Sequence, residues 1–195
     1  VSPDTSRPRR IPPGQVETKK WPVLHFGEVP EINLATWEFR IMGLVEAEWR
    51  CNWQEFRSLP WIDVACDIHC VTRWSRLNNV FSGPSTRTVL ERARIKPAAK
   101  FVLVHCEQGF TTNLPLEEFL GDDCLFAIEH DGKPLEPDHG WPVRLVIPRL
   151  YFWKSAKWVR GIELLETDQP GFWEQNGYHM HGDPWREERH NWESD

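Results

Sequence analysis

The sequence predicts an α+β domain made of mixed short strands with few short helices. Two features predict it: apolar runs of strand length recur in no regular alternation with helices, and each helical pattern ends within two turns. A chain of 195 residues, 40% hydrophobic and 27% charged, has apolar surface enough for one sizeable core. Its 16 Pro and 12 Gly exclude collagen-like and low-complexity readings.

The elements follow in order. Residues 1–20 hold Pro3, Pro8, Pro12 and Pro13 among Arg and Ser, so they read as an extended N-terminal arm, mobile or draped on the domain. The domain proper is expected over 21–166. Phe39 to Val45 is strand-like, and Asn52 with Glu55 has capping-box spacing ahead of a short helix that Pro60 stops. Ile62 to Cys66 reads as a strand. A second helix is expected from Ser85 or Thr88 to about Arg94, with Thr88 and Glu91 at capping-box spacing. Phe101 to Val104 is a buried strand, Leu116 to Leu120 a helical turn closed by Gly121, and Leu125 to His130 a strand turned by Asp131-Gly132. Val143 to Ile147 and Trp158 to Leu165 complete the strands. Residues 167–195, rich in Trp, His, Glu and Arg, read as a C-terminal extension packed on the domain.

The net charge of −6 provides no global field to gather nucleic acid, and no apolar run is long enough to span a membrane. Any anion therefore needs a local site. Arg9-Arg10 lacks the hydrophobic segment of an export signal, and the 5 Cys, without a CxxC pair, favour a reducing, cytoplasmic setting. The 12 Trp are the compositional outlier, suited both to cores and to binding surfaces.

Two constellations carry chemistry. The first is Asp67 to Ser75, directly after a strand, where Cys70 is a soft ligand or nucleophile whose pKa a neighbour such as Arg73 would lower; the alternative is a small buried hydrophobe. Zinc ligation by Cys66, His69 and Cys70 lacks a second ligand pair, and His179-Met180-His181 is a weak metal signal. A hydrolase using Cys70 with His69 is disfavoured because adjacent side chains rarely face one another. The second constellation is His139-Gly140-Trp141-Pro142-Val143-Arg144 with Lys154-Ser155-Ala156-Lys157-Trp158, whose fork, point charges and hydroxyl suit a phosphate. Nucleotide fingerprints of the Walker or GxGxxG type are absent.

These segments, with Gly109 to Leu116 between them, together resemble the molybdopterin-binding domain of the sulfite oxidase superfamily, over about Trp21 to Glu166. Stand-alone bacterial sulfite-oxidase-like oxidoreductases also share the Tyr151 to Ser155 and Gly182 to Trp185 stretches. The resemblance implies the sulfite-oxidase-type molybdopterin-binding fold and a mononuclear molybdenum-molybdopterin oxidoreductase. Such an enzyme moves an oxygen atom to or from a small substrate, sulfite-like or an S- or N-oxide. By position, Cys70 would be the metal ligand, and His25, Phe26, Cys106, His139, Arg144, Ser155, Ala156 and Lys157 would hold the pterin. Arg73 and Phe110 would lie near the reacting centre.

Departures bear on the substrate. Many relatives have Tyr where this chain has Phe110, and Val23-Leu24 occupies the region where an oxyanion-gripping arginine would be expected; Arg73, Arg149 or the Arg7 to Arg10 segment are the substitutes for that charge. A non-catalytic molybdopterin-binding or protein-interaction member with a degenerate pocket is the alternative this motivates. No haem module or β-sandwich is recognisable, which implies a monomer and an external electron-transfer partner.

Overall fold

The computed structural model describes residues 1–193. Its strands are β1 (Val16–Glu17), β2 (Glu38–Gly43), β3 (Trp49–Asn52), β4 (Trp61–His69), β5 (Trp74–Pro84), β6 (Phe101–Cys106), β7 (Thr111–Pro115), β8 (Leu125–Ala127), β9 (Glu129–His130), β10 (Lys133–Pro134), β11 (Arg144–Val146) and β12 (Val159–Leu165). Four short helices interrupt them: α1 (Trp53–Arg57), α2 (Thr86–Leu90), α3 (Leu116–Phe119) and α4 (Phe172–Gln175).

One five-stranded sheet runs β3-β2-β12-β6-β7, with β2 and β12 parallel and the other pairs antiparallel. Alternate residues point to its core: Phe39 and Ile41, Val102 and Val104, and Ile162 and Leu164 are fully buried, and Phe56 of α1 packs among them. The second sheet is centred on the β4–β5 hairpin, with β1 and β9 also pairing β5 and β10 following β9. The antiparallel ribbon β8–β11 lies between the two cores. Its period of two divides its side chains: Phe126 and Leu145 enter the first cluster, while Leu125, Ala127 and Val146 enter the second. Arg144, two residues before Val146 and opposite Ala127, consequently emerges on the second-cluster face, with its guanidinium over the Phe152 ring at 4.2 Å.

Local chemistry explains the boundaries. Asn52 forms both bonds of the capping box with Glu55, as its spacing predicts. For α2 the cap is Ser85, whose hydroxyl accepts from the Thr88 N–H at 3.0 Å; Thr88 is therefore inside the helix, which ends at Leu90 rather than near Arg94. The expected strand Leu125 to His130 is broken at Ile128, because β8 pairs with β11 while β9 pairs with β5. The strand expected at Ile62 to Cys66 continues to His69, carrying buried Asp67 and His69 with it.

That extension depends on the N-terminal arm, which is draped. The Ser2 N–H donates to Ala65 O at 2.9 Å, and Arg10 grips both Asp67 carboxylate oxygens at 2.6 and 2.8 Å. β1 then pairs parallel with the start of β5. The C-terminal extension is fastened by a buried ion pair between Lys154 and Glu174 at 2.7 Å. All five cysteines are free and buried.

Candidate active site

A cleft of about 460 Å³ opens where the β4–β5 turn, the segment after β1, the loop before β7, the β11–β12 connection and the C-terminal extension converge. The β4–β5 turn is tight: the Cys70 N–H donates to Trp74 O at 2.9 Å and the Arg73 N–H to Cys70 O at 3.0 Å, with Arg73 at φ 72°. Its outer carbonyls are tied down, Cys70 O by the Gln15 amide at 2.9 Å and Val71 O by Arg189 at 2.8 Å. The turn presents Cys70, a residue 9% exposed, to the cleft. Burial pushes this thiol's pKa up, against the opposing pull of its Thr72 hydroxyl contact at 3.1 Å and of the Arg189 and Lys157 charges. Arg73, expected to lower it, contributes nothing there. Its side chain is exposed on the arm side, where a Cβ on Gly14 would meet its Nη1 at 3.0 Å.

The opposite part of the wall is cationic. Arg144 is 1% exposed and donates to His139 O at 2.8 Å and Ser155 O at 2.6 Å, while its Nε is buried without a partner. No carboxylate neutralises it among the described residues, and burial draws its pKa down to about 9. Lys157 donates to the backbone carbonyl of Asp138; burial and then Arg144 lower it to about 7. His139 is held between the Asp138 carboxylate at 2.9 Å and Trp21 O at 3.3 Å, and burial lowers its pKa too. Trp74 Nε1 is a further buried donor without a partner. Two orphaned donors and a group of inward-facing cations lacking a buried counter-ion are what an anionic, ring-bearing cofactor would satisfy.

The structure thus brings nine of the sequence-selected residues to one cleft: His25, Phe26, Cys70, Phe110, His139, Arg144, Ser155, Ala156 and Lys157. Phe26 is exposed at the lip against Phe172 at 4.7 Å, and His25 sets its ring against Trp158 at 5.5 Å. The Ser155 hydroxyl already accepts from the Ile147 N–H at 2.9 Å, which fixes the β11–β12 connection. Cys106 and Arg73 stand outside the lining. Cys106 is buried in the first core with its thiol pKa raised by burial. Three of the other arginines considered for substrate charge are committed elsewhere, Arg7 to Asp4, Arg10 to Asp67 and Arg149 to Glu118 and Asp123, and Arg9 is exposed outside the lining. Lys154, grouped with the cradle by sequence, turns the other way to Glu174.

Zinc ligation gains no support: Cys66 and His69 are buried within β4, His69 bonds Ser75 at 2.8 Å, and no cluster of three or more His, Cys, Asp or Glu suited to a metal occurs among the described residues. His181 instead contacts Glu188 at 2.9 Å and Glu118 at 3.4 Å. Sequence reasoning missed the contribution of the C-terminal extension, which supplies Phe172, Trp173 and Tyr178 to the cleft and Arg189 to the Cys70 turn. The density of aromatic residues after Gly171 was the available signal. No helix among the described residues is long and apolar enough to cross a membrane.

The chain is similar to known proteins. An uncharacterized oxidoreductase of Bacillus subtilis, YuiH, is 47% identical over 185 residues, covering 94% of this chain and 93% of that protein. A putative protein-methionine-sulfoxide reductase subunit of Azospira oryzae, YedZ1, is 26% identical over 80% of this chain and 59% of its own length. The fold matches that of the sulfane dehydrogenase SoxCD from Paracoccus pantotrophus with a TM-score of 0.66 at 21% identity, over 72% of this chain and 41% of that one. The oxidoreductase molybdopterin binding domain matches residues 26–173. The chain belongs to that family, with the sulfite-oxidase-type fold, and is a molybdopterin-dependent oxidoreductase whose cofactor is molybdenum-molybdopterin.

Proposed function

We propose that the cleft holds molybdenum-molybdopterin with Cys70 as the protein's sulfur ligand, and that the holoprotein transfers an oxygen atom to or from a small substrate, sulfite-like or an S- or N-oxide. The observation that carries this is the placement of the Cys70 sulfur on the same cleft as His139, Arg144 and Lys157, none of which has a buried carboxylate partner among the described residues. When bound, the cofactor supplies two-electron redox chemistry at a metal.

The chain's own residues do the rest. Arg144 and Lys157 hold the phosphate, Trp74 offers an N–H donor to the organic part and His139 a ring in the wall, and Ser155 and Ala156 shape its seat through the β11–β12 connection. Arg189 and Gln15 immobilise the turn that aims Cys70. Phe110 narrows the cleft and adds no donor. Reduction of an S-oxide consumes two electrons and two protons and yields the thioether and water; the electrons come from an external partner. The unpaired cysteines support a cytoplasmic setting, and we read the chain as a monomer.

Metal and pterin analysis of the chain, made in a host competent for the cofactor, tests this. About one molybdenum per chain is expected, with loss of turnover and of metal in Cys70→Ser at unchanged circular dichroism. Protein from that host without molybdenum overturns the reading, and a Cys70→Ser variant with normal turnover overturns the ligand assignment.

A further inference from the structure

The outer wall of the cleft comes from the segment after β12. α4 brings Phe172 and Trp173 to it, and Gly177, at φ 93°, lets the chain reverse so that Tyr178 returns over Trp173. The Tyr178 ring is fixed on three sides: stacked on Trp173 at 4.9 Å and 19°, edge-on to Trp153 at 5.0 Å, and edge-on to His190 at 5.5 Å. Its N–H donates to Trp173 O at 2.9 Å. What this clamp leaves uncommitted is the phenol hydroxyl, which makes no hydrogen bond among the described residues.

Three other polar groups on this side are engaged. The Thr72 hydroxyl contacts Cys70, the Trp153 indole donates to Glu174 at 2.7 Å, and the Trp158 indole donates to Pro137 O at 2.8 Å. Much of the remaining surface is aromatic, and Glu107, a carboxylate in the lining, is held by Arg160 at 2.7 Å. An oxyanion entering here would find no uncommitted arginine or lysine among the described lining residues beyond the cations assigned to the cofactor. A neutral molecule with one accepting oxygen finds a positioned donor, and its sulfur finds ring edges and faces.

Resting on the cofactor reading above, we propose that Tyr178 donates a hydrogen bond to the substrate oxygen, and that the aromatic end of the cleft takes an uncharged S-oxide. Burial pushes the phenol's pKa up, so it keeps the proton it donates. Over the whole reduction the S-oxide takes up two electrons from the external partner and two protons and leaves as thioether and water; the hydroxyl of Tyr178 would hold the oxygen of the bound S-oxide by its hydrogen bond.

Tyr178→Phe keeps the ring and removes one hydroxyl. The two holoproteins are compared, without electron donor, for binding of methyl p-tolyl sulfoxide and methyl p-tolyl sulfide by quenching of tryptophan fluorescence. The sulfoxide Kd should rise about tenfold, the scale of one hydrogen bond, while the sulfide Kd and the molybdenum content stay unchanged. With electron donor, kcat/KM for the sulfoxide should fall by at least that factor. Unchanged affinity, or equal weakening for both probes, overturns the role of Tyr178 while leaving the cofactor reading intact. Wild-type protein that binds sulfite but no sulfoxide overturns the substrate class. Wild-type protein without molybdenum overturns the cofactor reading and this inference with it.

Discussion

Replacing Arg144 by methionine should be nearly neutral in the cofactor-free protein and damaging in the loaded one. In the free protein the guanidinium is 1% exposed and its pKa falls from 12.5 to about 9. The opposing influences on it are the thiols of Cys106 and Cys66, which burial keeps protonated at neutral pH. At pH 7, below both values, the group is charged folded and unfolded, so the folded state bears the full penalty; the gap of about 3.5 is worth about 5 kcal/mol. Methionine removes that penalty and also removes the donors to His139 O and Ser155 O, at about 1–3 kcal/mol for each carbonyl left unpaired. The two effects offset. In the loaded protein, by contrast, the variant loses charge-assisted bonds to phosphate of about 1.5–3 kcal/mol. That is roughly a ten- to hundredfold faster or weaker hold on the cofactor, and a drop in Tm of about 3–12 °C. Thermal melts of both forms, with the rate of pterin release, provide the assay. Equal losses of more than about 10 °C in both forms would refute the reasoning, because Arg144 would then be a strut of the fold rather than a counter-charge awaiting an anion.

Two further outcomes follow from the C-terminal extension. Glu174→Gln leaves the buried Lys154 ammonium with the carbonyls of Asn113 and Met180 and the Asn113 side chain, so urea denaturation should report a loss of about 3–5 kcal/mol; a Lys154→Met/Glu174→Leu double variant should recover part of it. His181 has its pKa raised above 6.5 by Glu118, aided by Glu188, so its stabilisation is complete below that value and lost as pH rises through the folded one. Glu118, through its bond from His181, and Glu188 are held below 4.5 and lose their contribution as pH falls through those lowered values. Amide exchange in residues 179–190, corrected for intrinsic rate, should therefore be slowest between about pH 5 and 6.5. His181→Gln should flatten that minimum; an unaltered profile would place the stabilising charge elsewhere.

What the sequence made legible was local. The capping box at Asn52, the apolar runs of β2, β6 and β12, and the order of the motifs around Cys70, His139 and Lys157 led to the fold and to nine residues of the cleft lining. Long-range pairing decided the rest. Strand β4 outruns its apolar stretch because Arg10, 57 residues earlier, neutralises Asp67. Lys154 and Lys157 are three apart and chemically alike, yet Glu174 captures the first and leaves the second to the cleft. Arg73 adjoins Cys70 in sequence but a left-handed backbone turns it outward, and Arg189, far along the chain, takes the place beside the turn.

The turn that bears Cys70 is clasped from both directions, by Gln15 on one carbonyl and by Arg189 on the next, and Arg189 also reaches Pro13 O. Its geometry is therefore completed only when residues more than a hundred positions downstream have been synthesised and docked. Setting of the Cys70 turn and docking of the tail are thus one event, because the two carbonyls gain their ties together with the segment that carries Arg189.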